Sequence, residues 1–343
     1  MKSLIYGYGA TGKSFERFLK NRNIDFDIFD INIKKFSKSY DYKKYSQILC
    51  SPGIPRDVYN ELTQINENVL TDIDIFFKED NSIKIGITGT NRKSTTAFHL
   101  QQLFDKFEST SLVGNIGNTL LDNINKTKYS IIELSSFQLD KMIENKLDYG
   151  ILLNIDKDHL DYHGNFKSYK KAKEKILQAK RSISNELDPY KLFYWVTNKE
   201  ATQINFENLP YRYQSISEHV INDSKSTNFH SLNYAINKAN LTFGKSKYIL
   251  IVCGNPEKED FRKIEILGPK IICIFGKHSK DITNCIINQN KMTFNNLDDV
   301  FKSFNENLTS QNFLFSPGYP SGKDYKNFEK RGRAFNKTIK KYT

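Results

Sequence analysis

The chain contains few residues of the kinds that form cross-links or flexible linkers. Among 343 residues there are four Cys, eight Pro and 17 Gly. The cysteines show no paired spacing typical of a metal site, and three of them lie in or beside apolar runs, so we expect reduced, buried thiols. Glycine and proline form no rich linker, and no repeat of fixed period is present. The four cysteines are Cys50, Cys253, Cys273 and Cys285.

Long hydrophobic runs are also absent. No apolar stretch approaches the about 20 residues that a membrane-spanning helix needs. The sequence passes from Met1-Lys2 directly into a strand-like run without an apolar signal region. We therefore expect a cytoplasmic protein without a membrane span.

Positive charge is in excess but is not concentrated. Lys and Arg number 51 against 39 Asp and Glu, which gives a formal charge of +12. Nucleic-acid binding requires clustered cations, whereas here the cations form only short pairs with acids between them. We expect a solvated, lysine-rich surface and no nucleic-acid partner. The 25 Phe and 19 Tyr supply enough large apolar side chains for a folded core.

Short apolar runs alternate with segments of helical period along the whole chain, which predicts an α/β protein with parallel sheets covered by helices. Most of the predicted strands end in Gly, Ser, Asn or Asp, and open α/β sheets bind ligands at the carboxyl ends of their strands. Three blocks each open with a strand and a polar loop, and we take 1–75, 76–209 and 210–343 as domains. The predicted strands are 3–6, 27–29, 47–50, 83–87, 129–134, 149–155, 248–253, 270–275 and 312–315.

A first glycine-rich loop runs from Gly7 to Gly12, between a predicted strand and a predicted helix, and Asp30 ends the next strand. This spacing is similar to a dinucleotide-binding loop, in which glycines let the backbone approach a pyrophosphate. A tight turn that only packs the helix on the strand is the alternative interpretation.

A second loop, Gly86-Ile87-Thr88-Gly89-Thr90-Asn91-Arg92-Lys93-Ser94-Thr95, again joins a strand to a helix. Its backbone amides can bind phosphate oxygens, Lys93 can neutralise the β- and γ-phosphates, and Ser94 or Thr95 can hold magnesium. The position six before Lys93 is Ile87, so this is not the common P-loop motif. Phosphate binding is favoured over an ordinary polar loop.

This loop resembles the ATP loop of the Mur ligases, the amide-forming enzymes of peptidoglycan precursor synthesis. Further segments, in the family's order, are similar to those of its D-glutamate-adding members. They are Gly114–Gly117, Glu133–Leu139, Leu153-Asn154 with Asp158–Asp161, Tyr169–Lys173, Leu209–Arg212, Asn222–Asn228 and Asn327–Gly332.

The resemblance implies three domains: a Rossmann-like N-terminal domain for the uridine substrate, a P-loop ATPase-like central domain, and a Rossmann-like C-terminal domain for D-glutamate. It implies an ATP-dependent ligase that adds D-glutamate to UDP-N-acetylmuramoyl-L-alanine through an acyl phosphate. The implied cofactors are ATP and two Mg²⁺ ions, and we expect a monomer. Two sites on separate domains also imply domain closure.

The resemblance also carries over residue roles. ATP would be bound by Gly89, Thr90, Asn91, Lys93, Ser94, Thr95, Arg212 at the γ-phosphate and Asp223 at the ribose. Metal would be held by Ser94, Glu133, His159 and a carbamylated Lys173, and Lys225 would join Lys93, Glu133, His159, Lys173 and Arg212 in catalysis. The substrates would be bound by Gly9, Thr11, Asp30, Ser51, Asn115, Ser136, Thr227, Lys258, Ser321 and Phe328.

The chain departs from the family pattern at several places. Arg92 replaces a glycine, which costs about 1–2 kcal/mol if that position is left-handed, and Arg92 could itself contact phosphate. Glu257 stands at the position of a D-glutamate-binding lysine, so we expect Lys258 to serve instead; the segment Ser316–Lys323 also changes in its middle.

Length is a further departure. Lys173 and Arg212 are only 39 positions apart, and an H-N-x-x-N motif expected between them is absent. Two alternatives therefore stay open: a related ligase for another amino acid, and a binding protein that has lost turnover.

Overall fold

The structure is a computed structural model, and it describes residues 2–259, 261–304 and 310–342, without the side chains of residues 258 and 259. The chain forms two compact units, Met1–Glu207 and Asn208–Thr343. The first unit contains a four-stranded and a five-stranded sheet, and the second contains a six-stranded sheet. Each sheet lies inside one of the three predicted blocks, while the exact domain boundaries stay a prediction.

The four-stranded sheet is parallel, in the order β2-β1-β3-β4. Helix α1 packs on it with a single apolar face, formed by Phe15, Phe18 and Leu19. The elements are β1 (Ser3–Tyr6), α1 (Ala10–Lys20), β2 (Phe26–Phe29), β3 (Gln47–Cys50), α2 (Arg56–Ile65), β4 (Val69–Leu70) and α3 (Asp72–Glu79).

The five-stranded sheet is also parallel, in the order β6-β7-β5-β8-β9. Strand β7 is buried along its whole length, as expected for a strand covered on both faces. The elements are β5 (Ile83–Thr88), α4 (Lys93–Asp105), β6 (Thr110–Gly114), β7 (Tyr129–Glu133), α5 (Ser136–Lys141), β8 (Tyr149–Leu152), α6 (Leu160–His163), α7 (Phe166–Glu174), β9 (Arg181–Ser184) and α8 (Pro189–Thr197).

The six-stranded sheet has the order β10-β11-β15-β12-β13-β14, and only the β10–β11 pair is antiparallel. Its central strand β12 is buried throughout. The elements are β10 (Gln214–Ser217), β11 (Val220–Asn222), α9 (Phe229–Thr242), β12 (Tyr248–Cys253), β13 (Ile271–Phe275), α10 (Ser279–Cys285), β14 (Lys291–Phe294), α11 (Leu297–Lys302), β15 (Asn312–Gly318) and α12 (Phe328–Ile339).

The predicted α/β class is therefore confirmed, and the described strands pair in parallel except for β10 and β11. All four cysteines are free and buried, as the sequence indicated. Among the described residues, no helix has the length and apolar character needed to cross a membrane.

The turn between β5 and α4 has a left-handed residue at its end. Arg92 has φ 66° and ψ −1°, directly before the helix begins at Lys93. Residues other than glycine are destabilised in this conformation because their Cβ crowds the backbone. The turn thus keeps the geometry that a glycine would favour, and the arginine is accommodated at an energetic cost.

We predict that Arg92→Gly raises the free energy of unfolding by about 1 kcal/mol, because relief of the left-handed strain exceeds the extra chain entropy of glycine. Urea denaturation compares the variant with the wild type. Arg92→Ala is the matched control, since it removes the guanidinium but keeps Cβ. A glycine variant no more stable than the alanine variant would show that the backbone at this position is not strained.

Candidate active site

The predicted ATP loop follows β5 and is braced by one asparagine from the neighbouring strand. The Thr90 N–H donates to the carbonyl oxygen of Asn154 at 3.0 Å, and the Asn91 N–H donates to Asn154 Oδ1 at 2.9 Å. Asn154 Nδ2 donates in return to the Asn91 carbonyl at 3.1 Å. Because β5 and β8 are adjacent, Asn154 can hold the loop at the carboxyl edge of the sheet.

The Thr90 side chain joins this loop to α7. Its hydroxyl lies 2.9 Å from the hydroxyl of Tyr169, a buried residue of α7, and accepts the Asp156 N–H at 2.9 Å. Thr90 therefore fixes the position of the loop through protein contacts. Its predicted role in ATP binding stays a prediction.

Two lysines converge on one carbonyl of the loop. Lys93 Nζ donates to the carbonyl oxygens of Gly89 (2.8 Å) and Thr90 (3.0 Å). Lys173 Nζ, which is almost completely buried, also donates to the Gly89 carbonyl at 2.8 Å and lies 3.3 Å from Thr88 Oγ1. Such a concentration of positive charge is suited to an anion such as a polyphosphate.

The pKa of Lys173 lies well below the usual value for lysine. Burial is the main cause, and the neighbouring charge of Lys93 adds to it, while Asp158 and Glu133 act in the opposite direction. The low pKa makes the neutral amine more accessible near pH 7, and a neutral amine is the nucleophilic form.

Glu133 ends β7 and has a carboxylate oxygen without a protein partner. The residue is 1% exposed, and its Oε1 accepts a hydrogen bond from Asn115 Nδ2 at 2.8 Å. Its Oε2 is buried and has no hydrogen-bond partner among the residues that the structure describes. An unpaired buried carboxylate oxygen is costly unless a cation binds it, so Glu133 fits the predicted role of magnesium ligand.

His159 directly precedes α6 and has a left-handed conformation, with φ 51°. Its ring packs against Phe137 (centroids 4.9 Å apart) and lies 6.5 Å from the ring of Tyr169. Its Nε2 is 3.7 Å from Asp158 Oδ2. The histidine therefore lies beside α7, the helix that carries Lys173.

Within the described ranges, no group of three or more His, Cys, Asp or Glu side chains could hold a metal ion. The predicted metal set contains only two such side chains, Glu133 and His159. Its other members are the hydroxyl of Ser94 and the amine of Lys173, and an ammonium cannot bind a cation. The set fits Mg²⁺ only if Lys173 is converted to an anion.

The remaining predicted residues of this edge lie on helix starts. Ser94 and Thr95 are in the first turn of α4, whose N-terminus carries partial positive charge. Ser136 is the first residue of α5, three positions after Glu133, and its buried hydroxyl has no hydrogen-bond partner in the described part of the chain. A ligand at this edge could supply that partner.

The first glycine-rich loop is tightly packed at Gly12 and open at Gly9. A Cβ on Gly12 would collide with the Gly7 carbonyl oxygen, so Gly12 lets α1 pack closely on β1. A Cβ on Gly9 would meet nothing within 4 Å. Ser51 Oγ donates to the Gly7 carbonyl at 2.8 Å, which joins the loops that follow β1 and β3.

Asp30 approaches the same loop from β2. Its Oδ2 accepts the Tyr8 N–H at 2.7 Å, and its Oδ1 accepts the Asn32 N–H at 2.9 Å. Thr11 lies partly exposed in the first turn of α1. The predicted uridine-binding residues Gly9, Thr11, Asp30 and Ser51 therefore share one edge of the first sheet.

Lys141, which the sequence analysis missed, joins this edge to the second sheet. The side chain is 3% exposed, and its Nζ donates to the carbonyl oxygens of Pro52 and Ile54, each at 2.8 Å, and to Tyr162 OH at 2.7 Å. Burial lowers its pKa to about 8. The only sequence signal was a lysine at the end of a short helix, which usually indicates an exposed residue.

In the second unit, three loops follow the adjacent strands β11, β15 and β12. The Gly318 N–H donates to the Ser226 carbonyl at 3.1 Å, and the Asn255 N–H donates to the Pro320 carbonyl at 2.9 Å. The predicted residues Asp223, Thr227 and Ser321 are consequently carried by neighbouring loops.

Asp223 accepts the Tyr213 N–H at 2.9 Å and the Ser316 hydroxyl at 3.1 Å. Burial raises the pKa of its carboxyl to about 7. The ammonium of Lys225 lies 4.4 Å from the centroid of the Phe328 ring, a favourable cation–π distance. The predicted residues Lys225 and Phe328 are thus in contact.

Arg212 lies between two tyrosines in the left-handed conformation, Tyr211 (φ 62°) and Tyr213 (φ 52°). The Lys225 N–H donates to the Tyr211 carbonyl at 2.9 Å, and a Cβ on Gly332 would collide with the Tyr211 ring. The Tyr211 ring therefore packs closely on α12, and the segment that carries Arg212 is held on both sides.

Arg331 is a second residue to which sequence reasoning gave no role. Its guanidinium is fully buried and donates to Ser224 Oγ (3.2 Å), the Ser224 carbonyl (2.8 Å) and the Tyr319 carbonyl (2.9 Å). It therefore fixes the loops after β11 and β15 relative to each other. The side chain of Lys258 lies outside the described residues, while Glu257 accepts a hydrogen bond from Asn255 Nδ2 at 2.9 Å.

Comparisons with curated proteins give relatives that align along nearly the whole chain. The family model described as "Mur ligase middle domain" matches residues 87–249. A protein of Francisella tularensis subsp. tularensis named UDP-N-acetylmuramoylalanine--D-glutamate ligase (the MurD enzyme) is 29% identical over 98% of this chain and 95% of its own. One of the same name from subsp. novicida is 41% identical over 50% of this chain and 43% of its own.

The first alignment spans 406 positions, more than the 343 residues of this chain, so the relative carries segments that this chain lacks.

Solved structures with the same fold share little sequence. The MurF ligase of Thermotoga maritima in complex with ADP superposes with a TM-score of 0.62 at 13% identity, over 99% of this chain and 95% of that one. The UDP-N-acetylmuramate-alanine ligase MurC of the same organism has a TM-score of 0.56 at 14% identity, over all of both chains. The chain is therefore similar to Mur ligases in sequence along nearly its whole length, its residues 87–249 match their middle domain, and it shares their fold.

Proposed function

We propose that this protein is the ATP-dependent ligase that joins D-glutamate to UDP-N-acetylmuramoyl-L-alanine in the cytoplasm. The curated relatives that bear this activity in their names align along nearly the whole chain. The structural observation that carries the proposal is the meeting of Lys93 and Lys173 at the Gly89 carbonyl, near the buried carboxylate of Glu133. This arrangement is suited to a triphosphate and its metal ion.

The reaction needs two steps. A substrate carboxylate oxygen first attacks the γ-phosphorus of ATP, which gives an acyl phosphate and ADP. The amine of the amino acid then attacks the acyl carbon, phosphate leaves, and the amine loses a proton. Lys93 would neutralise phosphate charge in the first step, and Mg²⁺ supplies further neutralisation when bound.

The residues that would hold Mg²⁺ are Glu133, Ser94, His159 and Lys173, with up to two ions. Glu133 offers the buried, partnerless Oε2. Lys173 can contribute only as a carbamate, formed when its neutral amine adds CO₂ and releases a proton. Burial and the charge of Lys93 already favour the neutral amine of Lys173, which is the form that reacts with CO₂. Carbamylation would then place a negative charge near the ammonium of Lys93.

We assign the uridine nucleotide to the edge formed by Gly9, Thr11, Asp30 and Ser51, where Ser51 joins the two loops. Asn115 and Ser136 are assigned to the same substrate. In the second unit, we assign Arg212 and Asp223 to ATP. Lys225 and Thr227 are assigned to the amino acid and the acyl phosphate, and Lys258, Ser321 and Phe328 to the amino acid.

The first prediction is the activity itself. We expect the purified protein with ATP, Mg²⁺, UDP-N-acetylmuramoyl-L-alanine and D-glutamate to release ADP and form a UDP-linked dipeptide. Coupled ADP detection and mass spectrometry of the product measure the two outputs. Omission of each substrate in turn is the control, and absence of both products with all substrates present would refute the proposal.

The same assay separates the alternatives. Glu257 is an acid at a position expected to bind a dicarboxylate, which favours testing other amino acids. Turnover with another amino acid but not with D-glutamate would identify a related ligase. Binding of the uridine substrate without ADP release would identify a protein that has kept affinity and lost turnover.

We predict that Glu133→Gln lowers kcat by about 100-fold or more, because the amide keeps the size but cannot bind Mg²⁺ as an anion. The Mg²⁺ concentration for half-maximal ADP release should rise as well. Glu108→Gln, at a partly exposed acid of the same unit that pairs with Lys128, is the matched control. Equal Mg²⁺ dependence in Glu133→Gln and the wild type would remove Glu133 from the metal site.

We predict that Lys173→Ala abolishes most activity and that millimolar acetate or propionate restores part of it by supplying the missing carboxylate. The variant is compared with Lys171→Ala, which changes an exposed lysine of the same helix. Initial rates of ADP release are measured with and without the added acids. A Lys173→Ala enzyme that is inactive at every acid concentration, or active without them, would contradict the carbamate.

A further inference from the structure

Lys141, in a helix of the five-stranded sheet, forms hydrogen bonds to a turn of the four-stranded sheet. The turn Ser51–Ile54 follows β3, and the Ile54 N–H donates to the Ser51 carbonyl at 3.2 Å. Two of its carbonyl oxygens, on Pro52 and Ile54, accept hydrogen bonds from Lys141 Nζ. The lysine therefore binds both sides of the exposed Gly53.

The donors and acceptors around this amine match in number. An ammonium has three N–H donors, and Lys141 Nζ has three acceptors within 2.8 Å: the two carbonyl oxygens of the turn and Tyr162 OH. The Tyr59 hydroxyl donates to the Lys141 main-chain carbonyl at 3.3 Å, and the Tyr59 ring lies 5.7 Å from Nζ. A buried charge held in this way restricts the turn to one position.

The elements on the other side of Lys141 are those that carry the metal-binding candidates. Lys141 is the last residue of α5, which begins three positions after Glu133. Tyr162 is in α6, which directly follows His159, and its ring packs edge-on against Phe137 of α5 at 4.5 Å between centroids. One amine thus connects the turn beside Ser51 to both of these segments.

We propose that Lys141 is a positioning residue that fixes the turn Ser51–Ile54 relative to Glu133 and His159, and so sets the affinity for the uridine nucleotide substrate. The inference deepens the proposed function and rests on it, because the uridine substrate must reach from the first sheet to the reacting carboxylate. Lys141 itself touches backbone and Tyr162, so its effect on the substrate is transmitted through the turn.

The test is Lys141→Met, which keeps the length of the side chain and removes the charge and donors. We expect the Kd for UDP-N-acetylmuramoyl-L-alanine, measured by calorimetry, to rise by about tenfold or more, whereas the Kd for ADP changes by less than about twofold. In turnover, KM for the uridine substrate should rise more than kcat falls. Tyr162→Phe, which removes one of three acceptors, should give a smaller rise in the same Kd.

The matched control is Lys84→Met. Lys84 is also buried and donates to two backbone carbonyl oxygens, those of Asp80 and Ser82, but it lies near the amino end of β5. We expect a similar loss of thermal stability and no change in the Kd for the uridine substrate. An equal rise of this Kd in both variants would reduce Lys141 to a structural residue and overturn the proposal.

A second measurement does not depend on the proposed function. Amide hydrogen exchange of the peptide containing residues 51–54 should be faster in Lys141→Met than in the wild type without any ligand, and unchanged in Lys84→Met. Unchanged exchange in Lys141→Met would overturn the positioning role. Faster exchange in a protein whose wild type binds no uridine substrate would instead overturn the proposed function, and with it the assigned substrate.

Discussion

The carbonyl oxygen of Gly89 is the point on which the candidate site depends. It accepts hydrogen bonds from two lysines, one from the helix after the loop and one from α7. The two amines repel each other when both are protonated, and in a buried place this repulsion is poorly screened, which helps to lower the pKa of Lys173. The pair is therefore stabilised by whatever brings negative charge to the loop. An anionic ligand, a carbamate on Lys173, or both would relieve the same repulsion.

Hydrogen bonds from neighbouring residues hold the loop in position without a ligand. Asn154 binds the backbone of Asn91 in both directions, and Thr90 binds Tyr169 of α7 through its hydroxyl. Each bracing residue comes from β8 or α7, so the loop is anchored to the segment that also carries His159 and Lys173. The position of the loop and the position of Lys173 consequently depend on each other.

Much of this arrangement could be predicted from the sequence, because short-range signals determine it. The apolar runs at 83–87 and 129–134 became β5 and β7, and the polar residues after them lie at one edge because the strands are parallel neighbours. The predicted strands did not include β4, β6, β9, β10, β11 and β14. Of these, β9, β10 and β14 are short and largely exposed and so lack an apolar signature, while β4 and β11 have only two and three residues. The antiparallel hairpin of β10 and β11 likewise has no crossover pattern to mark it.

The roles of Lys141 and Arg331 could not be predicted in this way. Their partners are distant in the sequence, Pro52 and Ile54 for Lys141 and Ser224 for Arg331, and most of those partners are backbone carbonyls, which carry no residue signature. A buried cation among neutral carbonyls is also rare enough that an exposed side chain is the better guess.

Strand β9 covers the edge of β8, the strand that leads to Asn154. It is the edge of its sheet, mostly exposed, and it pairs only with β8 among the described strands. The 39 positions from Lys173 to Arg212 contain this strand but no H-N-x-x-N motif. Without β9, the strand that leads to Asn154 would have an open edge, prone to pairing with other chains. Strand β9 thus shields the strand that leads to a residue of the candidate site.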